Sequence, residues 1–139
     1  MSAAHAHGEP LVSRRVELAP TAEAPRLARR ATDAIAEAAG GECLGFMLRL
    51  VASELVNNAV LHGSPDEPIL LEVELFDGRV LVRVRNAGGR LTLSDLRRRK
   101  RRTESGRGLD IVDALADAWT IDARPGSTTI AVQVRIDSV

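Results

Sequence analysis

Apolar residues recur at helical spacing in three stretches of the chain and alternate with polar residues in five others. Ser13 to Leu18 alternates, with Val16 and Leu18 on one side, and predicts an edge strand. Pro20 and Pro25 bracket the start of a helix over Arg26 to Ala39, with Leu27, Ala31, Ala34, Ile35 and Ala38 as its apolar face. Gly40-Gly41 ends it. A longer helix runs from about Leu44 to His62, and Gly63 and Pro65 stop it. Ile69 to Phe76 and Arg79 to Arg85 form a hairpin about Asp77-Gly78. Ile69, Leu71, Val73 and Leu75 share one face with Val80, Val82 and Val84, while Glu72, Glu74, Arg83 and Arg85 take the other. One more step of that alternation turns Asn86 toward the core. After a loop, a helix opens near Gly106 and reaches about Ala118, with Leu109, Val112, Leu115 and Ala116 toward the sheet. Strands Trp119 to Arg124 and Thr128 to Ile136 turn at Pro125-Gly126. The expected architecture is α+β, a two-layer sandwich with helices on one face of a mainly antiparallel, mixed sheet. A flexible tail over 1–12 precedes one domain over 13–139.

Within the long helix, Glu54 and Asn58 stand one turn apart in a stripe that otherwise holds Met47, Leu50, Val51 and Leu61. A carboxylate and an amide on the buried side of a helix are costly unless something uses them. A metal ion bound to phosphate would take the amide, and a proton to be removed would employ the carboxylate. The alternative is a pair of partly exposed residues at the edge of the stripe. Asn57 points about a sixth of a turn away, toward packing or solvent.

Composition narrows the function. Net charge is zero, with 19 basic and 19 acidic residues, which argues against nucleic acid or an anionic membrane as the main partner. Aromatic residues are only 2%, so stacking platforms for single strands are missing and aliphatic side chains must supply the core. Cys43 is the single cysteine, which fits a reducing cytoplasm, and it is expected as a small packing residue. No apolar run is expected to be long enough to span a bilayer, and Met1 to Pro10 lacks the core of a signal peptide. His5 and His7 belong to the tail rather than to a metal site.

Several shorter features carry chemistry. Asn86 ends an inward strand face just before Gly88-Gly89, where backbone can approach a ligand or simply turn. Gly106-Arg107-Gly108 opens a helix, and free N–H groups at such an end bind phosphate. The basic run 97–102 is a solvated face, a screen for phosphates or a contact for an acidic partner. Thr128 begins the last inward strand, so its hydroxyl either bonds a ligand or caps the turn. His62 sits at a helix C-terminus, where a cation is favourable.

In this order the pieces resemble the Bergerat-fold (GHKL) ATPases. Glu54-Leu-Val-Asn-Asn58-Ala-Val-Leu-His62-Gly63 looks like the N-box. Val84-Arg-Asn86-Ala-Gly88-Gly89 stands where the family has its Asp-x-Gly-x-Gly box, Gly106-Arg107-Gly108-Leu109 looks like the second glycine box, and Ser127-Thr128-Thr129-Ile130 looks like the final Gly-Thr-Thr segment. The likeness spans Ser13 to Ile136. Small size and a short lid are similar to the bacterial anti-sigma factor serine/threonine kinases, single cytoplasmic domains that bind ATP and Mg²⁺.

That resemblance implies an activity, partners and a site. The protein would sequester a sigma factor and phosphorylate a Ser or Thr of an anti-anti-sigma (STAS-type) antagonist, with a homodimer as a further possibility. Glu54 would deprotonate the acceptor hydroxyl, and Asn58 would hold Mg²⁺ against the phosphates. Asn86 would meet the adenine amino group with support from Thr128, and Gly88 would line the nucleotide. Gly106, Arg107, Gly108 and Leu109 would carry the phosphate side. Two residues depart from the family pattern. Asn86 stands for the adenine-binding aspartate and lacks its charge, and Arg90 stands for the third glycine of its box. The departures point to an alternative, a non-catalytic partner-binding module with weak or no ATP binding.

Overall fold

In a computed structural model the described residues are 8–88, 112 and 116–136. β1 (Val12–Leu18) leads into α1 (Ala24–Ala39) and α2 (Glu42–His62). β2 (Ile69–Phe76), β3 (Arg79–Ala87), β4 (Ala118–Arg124) and β5 (Ser127–Arg135) follow. The sheet runs β1-β2-β3-β5-β4. Every observed pair is antiparallel, so among the described residues the sheet has no mixed pairing. Both helices lie on one face, α1 against β1 and β2, α2 against β2 and β3. This is the expected α+β sandwich.

The two-residue turns fall where expected, at Asp77-Gly78 and Pro125-Gly126, because the flanking pairs are Phe76 with Arg79 and Arg124 with Ser127. Turn position sets register, and register sends one alternating set inward. Leu71, Val73, Val80, Val82, Val132 and Val134 are fully buried against the helices. On the opposite face Arg83 Nη2 lies 2.8 Å from Glu74 Oε1, an ion contact rather than an aligned hydrogen bond. Leu81, on that same face, is also buried.

Differences from the expectation have local causes. α1 begins at Ala24, with Pro25 in its first turn, where a missing N–H costs nothing. Its buried residues are Ala24, Ala28, Ala31, Thr32, Ile35 and Ala36. Ala34 is half-buried and Ala38 exposed, so the face is turned toward Thr32, whose hydroxyl donates to Arg29 O at 2.8 Å. That internal bond lets a polar residue enter the core. Cys43 is exposed rather than packed. The third helix does not reach Ala118, which begins β4. Asp117 is already tied to β5, its N–H to Gln133 O and its carboxylate to the Arg135 N–H.

One further expectation needs correction. α2 has 21 residues, and an 18-residue stretch of it has mean hydropathy 1.3, long and apolar enough by length and composition alone to cross a membrane. Here it is a core helix, with Leu44, Leu48, Val51, Ala52, Leu55, Val56 and Ala59 buried against α1 and the sheet.

Candidate functional site

α2 carries Glu54 and Asn58 along the margin of its buried face, and both are half-buried rather than enclosed. Leu61, expected in the same stripe, is 66% exposed, because the helix buries the side centred on Leu48, Val51, Leu55 and Ala59. The pair therefore borders the core and an open side. Burial still pushes the Glu54 carboxyl above its ordinary range, since partial desolvation disfavours its charge. Asn57 is exposed, as its angle on the helix requires.

Just beyond Asn58, the C-terminal end of α2 meets the sheet. Gly63 closes the last turn through its N–H to Ala59 O, at 2.8 Å. A Cβ at Gly63 would lie 2.6 Å from that oxygen and 2.8 Å from Asn86 Nδ2, so only glycine leaves room for the Asn86 amide. Ser64 N–H then donates to Ala87 O at 2.9 Å, which stitches the segment after α2 to the end of β3. Gly88 has φ +76 and brings its backbone against Ser64, and its N–H reaches Gly126 O at 2.9 Å. Three chain segments thus converge around Asn86. The sequence marked Gly63 only as a helix stop; its closeness to Asn86 depends on long-range packing.

Asn86 is 5% exposed and pairs in register with Thr128 of β5, which is fully buried. The Thr128 hydroxyl has no hydrogen-bond partner among the described residues. It does not cap the neighbouring turn, one of the two roles expected for it. Among the described residues Asn86 Nδ2 reaches only Ala87 O, at 3.4 Å, the long limit of a hydrogen bond. An unsatisfied buried hydroxyl costs about 1–3 kcal/mol, so two under-used polar groups side by side in a core mark a place for a ligand. They fit the edge of a nucleotide base, which brings its own donors and acceptors.

Metal binding makes a smaller demand. Among the described residues no three His, Cys, Asp or Glu side chains gather into a cluster. Mg²⁺ held mainly by phosphate oxygens and water asks the protein for only one or two oxygens, and the half-buried Asn58 amide suits that role. Gly106, Arg107, Gly108 and Leu109, with Gly89, Arg90 and the basic run 97–102, lie outside the described residues.

A groove of about 650 Å³ occupies a different place, between the end of α1 and the start of α2. Asp33, Glu37, Gly41, Gly45, Phe46 and Arg49 line it. It is far from Asn86, because α2 at roughly 1.5 Å per residue separates the two ends. Arg49 grips Asp33 there through two bonds, at 2.6 and 2.8 Å, and so joins the helices.

Residues 18–134 match the family model described as a histidine kinase-like ATPase domain. No curated protein shows a significant match to the chain.

Proposed function

From the chain's membership of the histidine kinase-like ATPase domain family, we propose that it is an ATP-binding regulator that works as a protein serine/threonine kinase and anti-sigma factor. The observation that carries the nucleotide reading is the buried Thr128 hydroxyl opposite Asn86, which has no partner among the described residues. Thr128 and Asn86 orient the base, and Gly63 and Gly88 keep the walls of that corner thin. When bound, Mg·ATP supplies the phosphoryl group and the positive charge that offsets its oxygens. Asn58 provides an amide oxygen on the metal side of the site.

Glu54, on the same helix face one turn earlier, takes the proton from the acceptor Ser or Thr hydroxyl. The freed oxygen bonds to the γ-phosphorus as the bond to the ADP oxygen breaks. Partial burial makes Glu54 a stronger base than an exposed glutamate, which suits proton removal near neutral pH. Positioning and charge offset supply most of phosphoryl transfer, so this short set of side chains is sufficient. The partners are a sigma factor and a STAS-type antagonist carrying the acceptor, in the cytoplasm. Incubation with γ-labelled ATP, Mg²⁺ and such an antagonist tests the reading. Label should move to the antagonist, and Glu54→Gln should abolish transfer while ATP binding persists. Undiminished transfer in that variant removes Glu54 from the chemistry.

A second reading is favoured by Asn86. The neutral amide lacks the charge of the family's aspartate, and charge-assisted hydrogen bonds are about twice as strong as neutral ones. In that reading the domain captures its partner without nucleotide. Calorimetry without detectable ATP binding, together with intact partner capture, would select it.

A further inference from the structure

The corner formed by Asn86 and Thr128 has no fixed hydrogen-bond sense. Asn86 carries both an acceptor oxygen and a donor nitrogen on one planar amide, and the Thr128 hydroxyl donates or accepts by rotating. Neither group bears a charge that would impose one role. Nor does the surrounding protein lock them. The Asn86 amide holds one contact at the 3.4 Å limit, to Ala87 O, and Thr128 Oγ1 holds none among the described residues. Amide oxygen and nitrogen occupy nearly the same space, so turning the amide over gives up that long contact and sets Oδ1 near Ala87 O, a cost of about one neutral hydrogen bond.

We propose that this corner accepts 6-oxo purine nucleotides as well as 6-amino ones. The inference rests on the reading of Asn86 and Thr128 as the base site. Adenine presents N6–H as donor and N1 as acceptor. Hypoxanthine and guanine present O6 as acceptor and N1–H as donor, the reverse sense. An Asn86 amide with its oxygen toward the base edge meets N6–H, and its nitrogen can serve N1. Turned over, the nitrogen donates to O6 and the oxygen accepts from N1–H. Thr128 follows by rotating its hydroxyl. A carboxylate at this position accepts only, and would face O6 with two like-signed oxygens. Sites with a fixed sense reject mispaired partners by factors of about 10⁴ or more, because a buried polar group is left unpaired. The Asn86 corner removes that penalty.

ITP is the probe, since it carries the 6-oxo edge without guanine's additional 2-amino group. ATP and ITP, each with Mg²⁺, are titrated separately into the full chain by calorimetry. The proposal expects ITP affinity within about tenfold of ATP, the scale of one neutral hydrogen bond. ATP binding with ITP weaker by about 100-fold or more overturns the proposal and leaves the ATP site standing. Binding of neither nucleotide overturns the ATP reading along with it. Asn86→Asp should tighten ATP binding and weaken ITP binding, so that the ATP-to-ITP affinity ratio rises by at least about tenfold. Parallel loss of both in a folded variant removes Asn86 as the selector. Where that variant does not fold, the wild-type ratio decides.

Discussion

Asn86 and Thr128 sit directly opposite each other on β3 and β5, both buried, and the threonine hydroxyl is unsatisfied among the described residues. Nothing in the stability of the fold requires that arrangement. Two valines would pack the same positions without orphaned polarity. Under the proposed function, the pair is where the fold gives up stability to recognise a nucleotide base.

Thr128→Val separates binding from stability. Valine nearly matches threonine in shape and removes the unpartnered hydroxyl. Chemical denaturation should show unchanged or higher stability, by up to about 1 kcal/mol, while ATP affinity falls by about five- to tenfold. A clear loss of stability would mean that the hydroxyl is satisfied in solution.

Gly63→Ala should do the opposite and damage both. Its Cβ would meet Ala59 O at 2.6 Å and the Asn86 amide at 2.8 Å, so α2 and β3 must move apart. Overpacking of this kind costs about 1–3 kcal/mol, read as a lower denaturation midpoint. ATP affinity should fall too, because Asn86 moves with the strand.

Glu54→Gln has a pH signature. The carboxyl is raised in the folded state by burial, so between its unfolded and folded values the native state holds more protons than the unfolded chain. Stability contributed at this residue therefore falls as pH rises through that window and stays low above it. The amide should make the protein more stable than wild type at neutral pH, with the advantage vanishing below the ordinary glutamate range. Thermal unfolding across pH 3 to 8, a range chosen to bracket roughly both values, checks this.

Asp33→Asn probes the joint between the helices. Hydrogen bonding to Arg49 holds the Asp33 carboxyl below its usual range. Its contribution is present above the unfolded value and is lost as pH falls through the lowered folded value. Both side chains are well exposed, so the variant should unfold only slightly more easily at neutral pH, and the difference should shrink in added salt.

The strands and turns were legible in the sequence because the period-two pattern and two turn dipeptides are local signals. Asn86 was placed correctly by counting one step past Val84, and its burial confirms the count. The helix faces were less legible. Alanine is apolar enough to lie on either side of a helix, so Ala28 and Ala36 could not be told from Ala34 and Ala38 before packing decided. Leu61 looked like core by spacing, yet it lies off the side of α2 that Leu48, Val51, Leu55 and Ala59 bury, and stays exposed. The glycine contacts about Asn86, and the missing partner of Thr128, are tertiary facts that no spacing encodes.

Calorimetric titration of ATP with Mg²⁺ into the wild-type domain, repeated on Thr128→Val, tests the central claim most directly. One saturable site in the wild type, weakened about five- to tenfold in a fully folded Thr128→Val, is the predicted result. Absence of binding in the wild type up to about millimolar ATP, or identical affinity in the two proteins, would contradict the assignment of this corner as the base site.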